Sequence, residues 1–324
     1  DLATLAVMTT NAVSGEAADV AVSGSTLYVA AGFGGCQIFS VASPSAPVLL
    51  GTFGHPARAV DADVSGSTLL LAGDEAGLQV HSLTNAANPE WVATVAAATN
   101  PRCLAVSGSL AYVAEALGDL KIYSISNPAA PSLLGAVPAD GLATIRRLAV
   151  SGSRLAATDG HRINLLDVAN PAAPTALASN VPPGYVFDLA ADDSRFYAAC
   201  GGAGLRILDN SALDLVGSYA TSPEPAMSVA LNGAYAYVGN GGSTLWTLSV
   251  TNPAAPGLVQ TSTAGGFGVA AANAVVYGVD GQRAGEGLDV SAPLTPVSNL
   301  SLSNLTFALR VRAGGDAVLV AEDE

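Results

Sequence analysis

Apolar residues along this chain come in short runs, and each run is closed by Gly, Ser, Asn or Pro. The stretch from Cys103 to Val137 shows the arrangement. "CLAVSG" (Cys103–Gly108) passes through a Ser-Gly pair into "LAYVAEA" (Leu110–Ala116), and a glycine turn leads on to "DLKIYSI" (Asp119–Ile125). "SNPAAP" (Ser126–Pro131) then breaks the chain before "SLLGAV" (Ser132–Val137). These runs are too short for helices, carry β-branched and aromatic residues, and show no amphipathic 3.6-residue period. The pattern predicts four strands, A to D. Ser-Gly suits a tight hairpin because glycine accepts positive φ. The prolines end strands because proline cannot donate to a ladder.

The unit recurs. "VSGS" stands at Val22, Val64, Val106 and Val150, with spacings of 42, 42 and 44 residues. The slot continues as "ADDS" from Ala191, "LNGA" from Leu231, "AANA" from Ala271 and "AGGD" from Ala313. A period of about 40–45 residues is that of a four-stranded propeller blade. Blades pack face to face on two neighbours, which explains strands such as "TLLLAG" (Thr68–Gly73) that are apolar on both faces. The predicted fold is therefore all-β: one β-propeller domain over residues 1–324. Its units are 17–58, 59–101, 102–145, 146–185, 186–226, 227–265 and 266–306. A split eighth blade combines 307–324 with 2–9, and seven blades is the alternative. The seventh unit is the weakest, because its C strand "GEGLDV" (Gly285–Val290) is rich in glycine.

The C strands "LKIYSI", "INLLDV" (Ile163–Val168) and "LRILDN" (Leu205–Asn210) carry one resemblance. The links "SNPAAP", "ANPAAP" (from Ala169) and "TNPAAP" (from Thr251) share it, as do "AYVA" and "AYVG" (from Ala111 and Ala236). Together they resemble the LVIVD-repeat propellers. That resemblance implies a bacterial or archaeal protein, often exported, in a family mostly without assigned function. The expected place is extracellular or at the cell surface.

Composition narrows the partners. Half of the 324 residues are hydrophobic, 12% are charged, and the net charge is −14. Such a balance argues against nucleic acid, which is bound through basic residues. The chain shows no apolar run long enough to span a membrane. Cys36, Cys103 and Cys200 form no metal-like or disulfide spacing and read as buried small hydrophobes. No cofactor is expected. His161 reads as a turn histidine, and "VDADVSG" (Val60–Gly66) reads as an A strand rather than a calcium loop.

Two patterns could carry chemistry. Three residues before each repeat anchor stand Asp19, Asp61, Cys103, Arg147, Asp188, Ser228, Gly268 and Arg310. If the A strands surround an axis, Asp19, Asp61, Arg147, Asp188 and Arg310 gather near one mouth of the tunnel. They form either a small-ligand or cation site or a set of ion pairs and hydrogen bonds between blades. The next slot, Val20, Ala62, Leu104, Leu148, Leu189, Val229, Val269 and Val311, should be buried. The predicted B–C turns carry Glu115, Asp119, Asp159 and other acids, which read either as solvated turns or as a cation-attracting crescent.

The last unit supplies A and B strands, "ALRVRA" and "AVLVAE", with no C strand after them. Leu2–Thr9 reads as its D strand. The edge Val318, Leu319, Val320 and Ala321 is then open to pairing, either with a C-terminal tail beyond the sequence given or with another chain. The expected function is a non-catalytic binding or assembly scaffold with a protein partner or self-association. An enzyme or ligand-binding propeller with its site at the tunnel mouth is the alternative.

Overall fold

The computed structural model describes the backbone of residues 19–322 apart from 24, 41, 43–47, 55–57, 74–75, 96–97, 139–141, 143, 241–243, 263–267, 273–274, 280–283, 290–296, 304–307 and 315–316. It describes the side chains of those residues between 21 and 261, Val22 apart. All regular structure among them is strand.

Blade 1 is β1 (Asp19–Ser23), β2 (Thr26–Ala30), β3 (Cys36–Ser40) and β4 (Val48–Phe53). Blade 2 is β5 (Ala59–Ser65), β6 (Thr68–Gly73), β7 (Gly77–Ser82) and β8 (Glu90–Val95). Blade 3 is β9 (Pro101–Ser107), β10 (Leu110–Glu115), β11 (Leu120–Ser124) and β12 (Ser132–Val137). Blade 4 is β13 (Arg147–Ser151), β14 (Arg154–Thr158), β15 (Ile163–Asp167) and β16 (Thr175–Asn180). Blade 5 is β17 (Asp188–Ala191), β18 (Arg195–Ala199), β19 (Leu205–Asp209) and β20 (Leu215–Tyr219). Blade 6 is β21 (Ser228–Asn232), β22 (Tyr235–Gly239), β23 (Leu245–Ser249) and β24 (Gly257–Ser262). Blade 7 is β25 (Gly268–Ala272), β26 (Val275–Val279), β27 (Ala284–Asp289) and β28 (Val297–Ser303). The glycine-rich C strand of that blade, β27, pairs on both sides. The last two strands are β29 (Ala308–Gly314) and β30 (Ala317–Glu322).

The first seven groups are four-stranded antiparallel sheets in sequence order, and β29–β30 is a two-stranded sheet. Each A strand contacts the A strand of the next blade, and β29 contacts both β25 and β1. Eight inner strands therefore close one ring, the architecture of a β-propeller. The predicted A and B strands of the last unit pair with each other, with Val311 opposite Val320 and Arg310 opposite Ala321. The proposed partner strand Leu2–Thr9 lies outside the described residues.

The A–B hairpins rest on glycine: Gly108 and Gly152 both have φ of 57° at the first turn position, where any side chain would be strained. The cores lie between blades rather than within them. Leu104 and Ala111 of blade 3 pack with Leu70, Leu78 and Val80 of blade 2, while Leu120 and Ile122 pack with Leu148 and Leu155 of blade 4. The apolar inner slot is buried at each of its described side chains: Ala62, Leu104, Leu148, Leu189 and Val229. Among the described side chains, four B strands carry a fully buried tyrosine at one position, Tyr28, Tyr112, Tyr197 and Tyr237. Burial raises these phenols, Tyr197 and Tyr237 to about 12, so they stay protonated.

The outer D strands share one irregularity. Each C–D pairing skips a single residue at the same place, opposite Phe39, His81, Tyr123, Leu166, Leu208, Leu248 and Leu288. A bulge on an edge strand bends and twists it, which disfavours pairing with another sheet edge.

Candidate functional site at the tunnel mouth

The polar slot of the A strands forms one ring position. Asp19 pairs with Ala30, Asp61 with Ala72, Cys103 with Ala114 and Arg147 with Thr158. Asp188 pairs with Ala199, Ser228 with Gly239, Gly268 with Val279 and Arg310 with Ala321. Every partner is the same point of the B strand, so the eight residues stand at one level around the axis. Asp19 and Arg310 are placed there by backbone alone.

What the described side chains do follows from the edge on which they sit. An inner strand has no further strand on its axial side, and the N–H groups on that edge need acceptors. Asp61 is fully buried and supplies them: Oδ1 accepts from the Ala62 N–H at 2.9 Å, and Oδ2 accepts from the Leu104 N–H of the next blade at 2.8 Å. Asp188 repeats the pattern, accepting from Leu189 at 2.9 Å and from Val229 in blade 6 at 3.0 Å. Arg147 reaches Asp188 from the preceding blade at 3.7 Å, with each side chain about a quarter exposed. The structure thus brings Arg147 and Asp188 together and commits Asp61 to a strap between blades 2 and 3.

Asp63 was not among the predicted site residues and makes a second strap. It accepts from Val64 at 2.8 Å and from Val106 in the next blade at 3.0 Å. The signal was present in "VDADVSG": residues two apart on a strand share a face, so one carboxylate in the polar slot implies a like role for the other. Among the acidic turns, Glu115 is buried rather than solvated. It accepts from the Thr99 N–H at 2.8 Å and the Thr99 hydroxyl at 3.1 Å, and it pairs with Lys121 at 2.7 Å. Asp159 accepts from the His161 and Arg162 N–H groups, both at 2.7 Å, and shapes its own turn.

Cys36, Cys103 and Cys200 are buried and form no disulfide. Burial pushes the Cys36 and Cys200 thiols up, that of Cys200 to about 12, which keeps it unreactive at neutral pH. Among the described residues no three His, Cys, Asp or Glu side chains cluster as metal ligands, and no helix is long and apolar enough to cross a membrane.

The predicted interaction edge, Val318 to Ala321, pairs with β29 on one side. Strand β30 lies between blades 7 and 1, touching β25 and β26 on one flank and β1 and β2 on the other. The rim shows a surface that the strand pattern did not single out. Leu49, Trp91, Leu133, Leu215 and Leu258 occupy the same position in their D strands, and all are exposed.

The family model of the LVIVD repeat matches residues 14–54, 100–138 and 225–263, which are blades 1, 3 and 6. No curated protein matches the chain. Among solved structures, the computationally designed Ika8 protein aligns over 95% of this chain and 93% of its own, with TM-score 0.74 and 11% identity. Saccharomyces cerevisiae Sqt1 aligns over 95% and 93%, with TM-score 0.67 and 9% identity. Chaetomium thermophilum Sqt1, solved bound to the N-terminus of the ribosomal protein L10, aligns over 95% and 97%, with TM-score 0.68 and 11% identity.

Proposed function

We propose that this LVIVD-repeat propeller is a non-catalytic binding and assembly scaffold, exported or on the cell surface, that engages a protein partner or a second copy of itself. The observation that carries the reading is the rim: large apolar side chains recur at one exposed D-strand position in blades 1, 2, 3, 5 and 6, with Ala176 there in blade 4. Within a strand the exposed apolar residues adjoin, as Val48, Leu49 and Leu50 do in β4 and Leu133 and Leu134 in β12, and such patches mark contact sites. The strapped inner ring supports the same reading, because carboxylates bound to backbone amides stiffen a platform. A neighbour of the same fold, Sqt1, was solved with a ribosomal-protein N-terminus bound, which shows that this architecture can present a peptide-binding surface. The exported location rests on the resemblance to LVIVD-repeat proteins.

A photo-reactive residue at Leu133, Leu215 or Leu258, introduced in the cells of origin, should give discrete protein adducts. The same residue at Ser109, in an A–B turn, should not. Adducts containing a second copy of this chain would identify self-association, and Leu319→Lys in the β30 edge should abolish them if strand addition is the route. Folded protein without adducts at the rim would overturn the proposal. Fractionating the same cells tests location, which fails if the chain remains wholly in the cytosol.

A second reading keeps a small-ligand site at the tunnel mouth, with Asp19, Asp61, Arg147, Asp188 and Arg310 around it. It is favoured by the partial exposure of the Arg147–Asp188 pair. Calorimetric titration with divalent cations and small carboxylates, compared between the unaltered chain and Arg147→Ala, tests it. Binding that is absent, or unaffected by the substitution, rejects it.

A further inference from the structure

A repeat protein carries its own controls, since each blade shows what the fold alone requires at a position. Where C meets D, one cross-strand pair lies on the face turned toward the preceding blade. It is Phe39 with Leu49 in blade 1, Tyr123 with Leu133 in blade 3 and Leu166 with Ala176 in blade 4. It is Leu208 with Leu215 in blade 5 and Leu248 with Leu258 in blade 6. Blade 2 departs at both members: His81 on β7 faces Trp91 on β8. Two residues along on the same face, Gln79 pairs with Thr94.

These four side chains line a cleft of about 350 Å³, with Phe53 of blade 1 and Pro89 as its apolar walls. His81 and Gln79 are only 2% and 6% exposed, and the His81 Nε2 lies 3.3 Å from Gln79 Oε1. The Phe53 ring stands 4.4 Å from the imidazole, centroid to centroid. Trp91 is 58% exposed, and its Nε1–H donates to the Thr94 hydroxyl at 3.2 Å, which fixes the indole as a lip. Packing alone does not call for a buried imidazole under an exposed tryptophan: the His81 position holds Phe, Tyr or Leu in the other blades, whereas the Gln79 slot is polar elsewhere too, as at the buried Gln37 opposite Thr52.

We propose that this cleft binds a neutral saccharide. A sugar ring offers a C–H face to the indole and hydroxyls at its edge. Each hydroxyl both donates and accepts, and the Gln79 carboxamide, its Oε1 engaged by His81, offers its amide hydrogens to them, with His81 as the group that positions it. The described lining holds no carboxylate, ammonium or guanidinium, so a charged ligand would be desolvated without compensation. The volume lies at the small end of ligand pockets, roughly 300–1,000 Å³, which suits a mono- or disaccharide. A proline-rich peptide is the less suitable occupant. It presents carbonyl acceptors, and the donor at the lip, the indole N–H, is already given to Thr94.

The chain has two tryptophans, Trp91 and Trp246, so Trp246→Phe leaves Trp91 as the only indole reporter. Titration of that variant with glucose, galactose, mannose, N-acetylglucosamine and their disaccharides should give a saturable emission change for at least one sugar, with Kd on the order of 1 mM or tighter. Saturation-transfer NMR on the unaltered chain should detect the same sugar. Trp91→Leu and His81→Leu install residues that other blades carry at these positions, so both should fold, as their thermal melts would verify. Each should weaken binding at least about tenfold. The proposal fails if no neutral sugar binds the folded chain, if both variants bind as before, or if a proline-rich peptide binds instead in a Trp91-dependent way. None of these outcomes bears on the rim contacts at Leu133, Leu215 and Leu258.

Discussion

A carboxylate at the bare edge of a strand solves two problems. It accepts the N–H that has no ladder partner, and its second oxygen ties down the neighbouring blade. Asp61 does both while fully buried, so removing it strands the Ala62 and Leu104 N–H groups together. Asp61→Ala is expected to cost about 3 kcal/mol in chemical denaturation, and Asp61→Asn less, because one acceptor oxygen survives. Asp209 works at the surface. It accepts from the Ser211, Ala212 and Asp214 N–H groups and from the Ser211 hydroxyl, organising the blade 5 link where the NPAAP sequence is replaced. Burial pulls its pKa up, but these hydrogen bonds outweigh it and hold the carboxyl below its ordinary value. A depressed folded pKa contributes stability above the unfolded pKa and loses it as pH falls through the folded one. Melting temperature should therefore drop as the solution is acidified below roughly pH 4. Asp209→Asn should show a shallower drop, and equal pH profiles for the two would refute this assignment.

At the scale of elements, the glycine in "SLLGAV" acquires a reason. A methyl group on Gly135 would overlap the Pro171 carbonyl oxygen in the link of the next blade, and one on Gly217 would overlap that of Pro253. The "NPAAP" links thus do more than turn the chain. Asn127 and Asn170 each accept from an N–H two residues on, both at 3.2 Å, and shape the link that carries this carbonyl over the preceding blade. Gly135→Ala and Gly217→Ala should each cost about 1–3 kcal/mol through overpacking. Inside the ring the opposite change is damaging. Leu148→Ala and Leu189→Ala open space between blades and should cost about 2–5 kcal/mol each in the same assay.

The whole molecule is a closed ring in which each core is shared by two blades. Contacts fall off outward, from buried A and B strands to exposed D strands. Native-state hydrogen exchange should therefore be slowest in β6, β10 and β18 and fastest in β4, β12 and β16. Uniform protection across each blade would contradict this gradient. Closure places β29 and β30 between blades 7 and 1, so a polar substitution there should loosen both flanking blades together.

Much of this was legible in the sequence because strand propensity and turn chemistry are local. The VSGS anchors, the hairpin glycines and the apolar runs set the strands and their order, including the pairing of the last two. The alignment of repeats also placed Asp61 and Asp188 at one level. Their hydrogen bonds could not be read there, because they join residues more than 40 positions apart across blades. The roles of Glu115 and Gly135 were hidden for the same reason: each depends on what the adjacent segment or blade brings to within a few ångströms. His81 and Trp91 lie ten residues apart in sequence, and nothing local marks them as partners. A D-strand bulge sets them on one face, and Phe53 and Gly54 of blade 1 bound the space beside them. Sequence determined the blade, since four short strands and their turns are specified within one repeat. Tertiary structure decided the straps and the cleft, since both exist only where two blades meet.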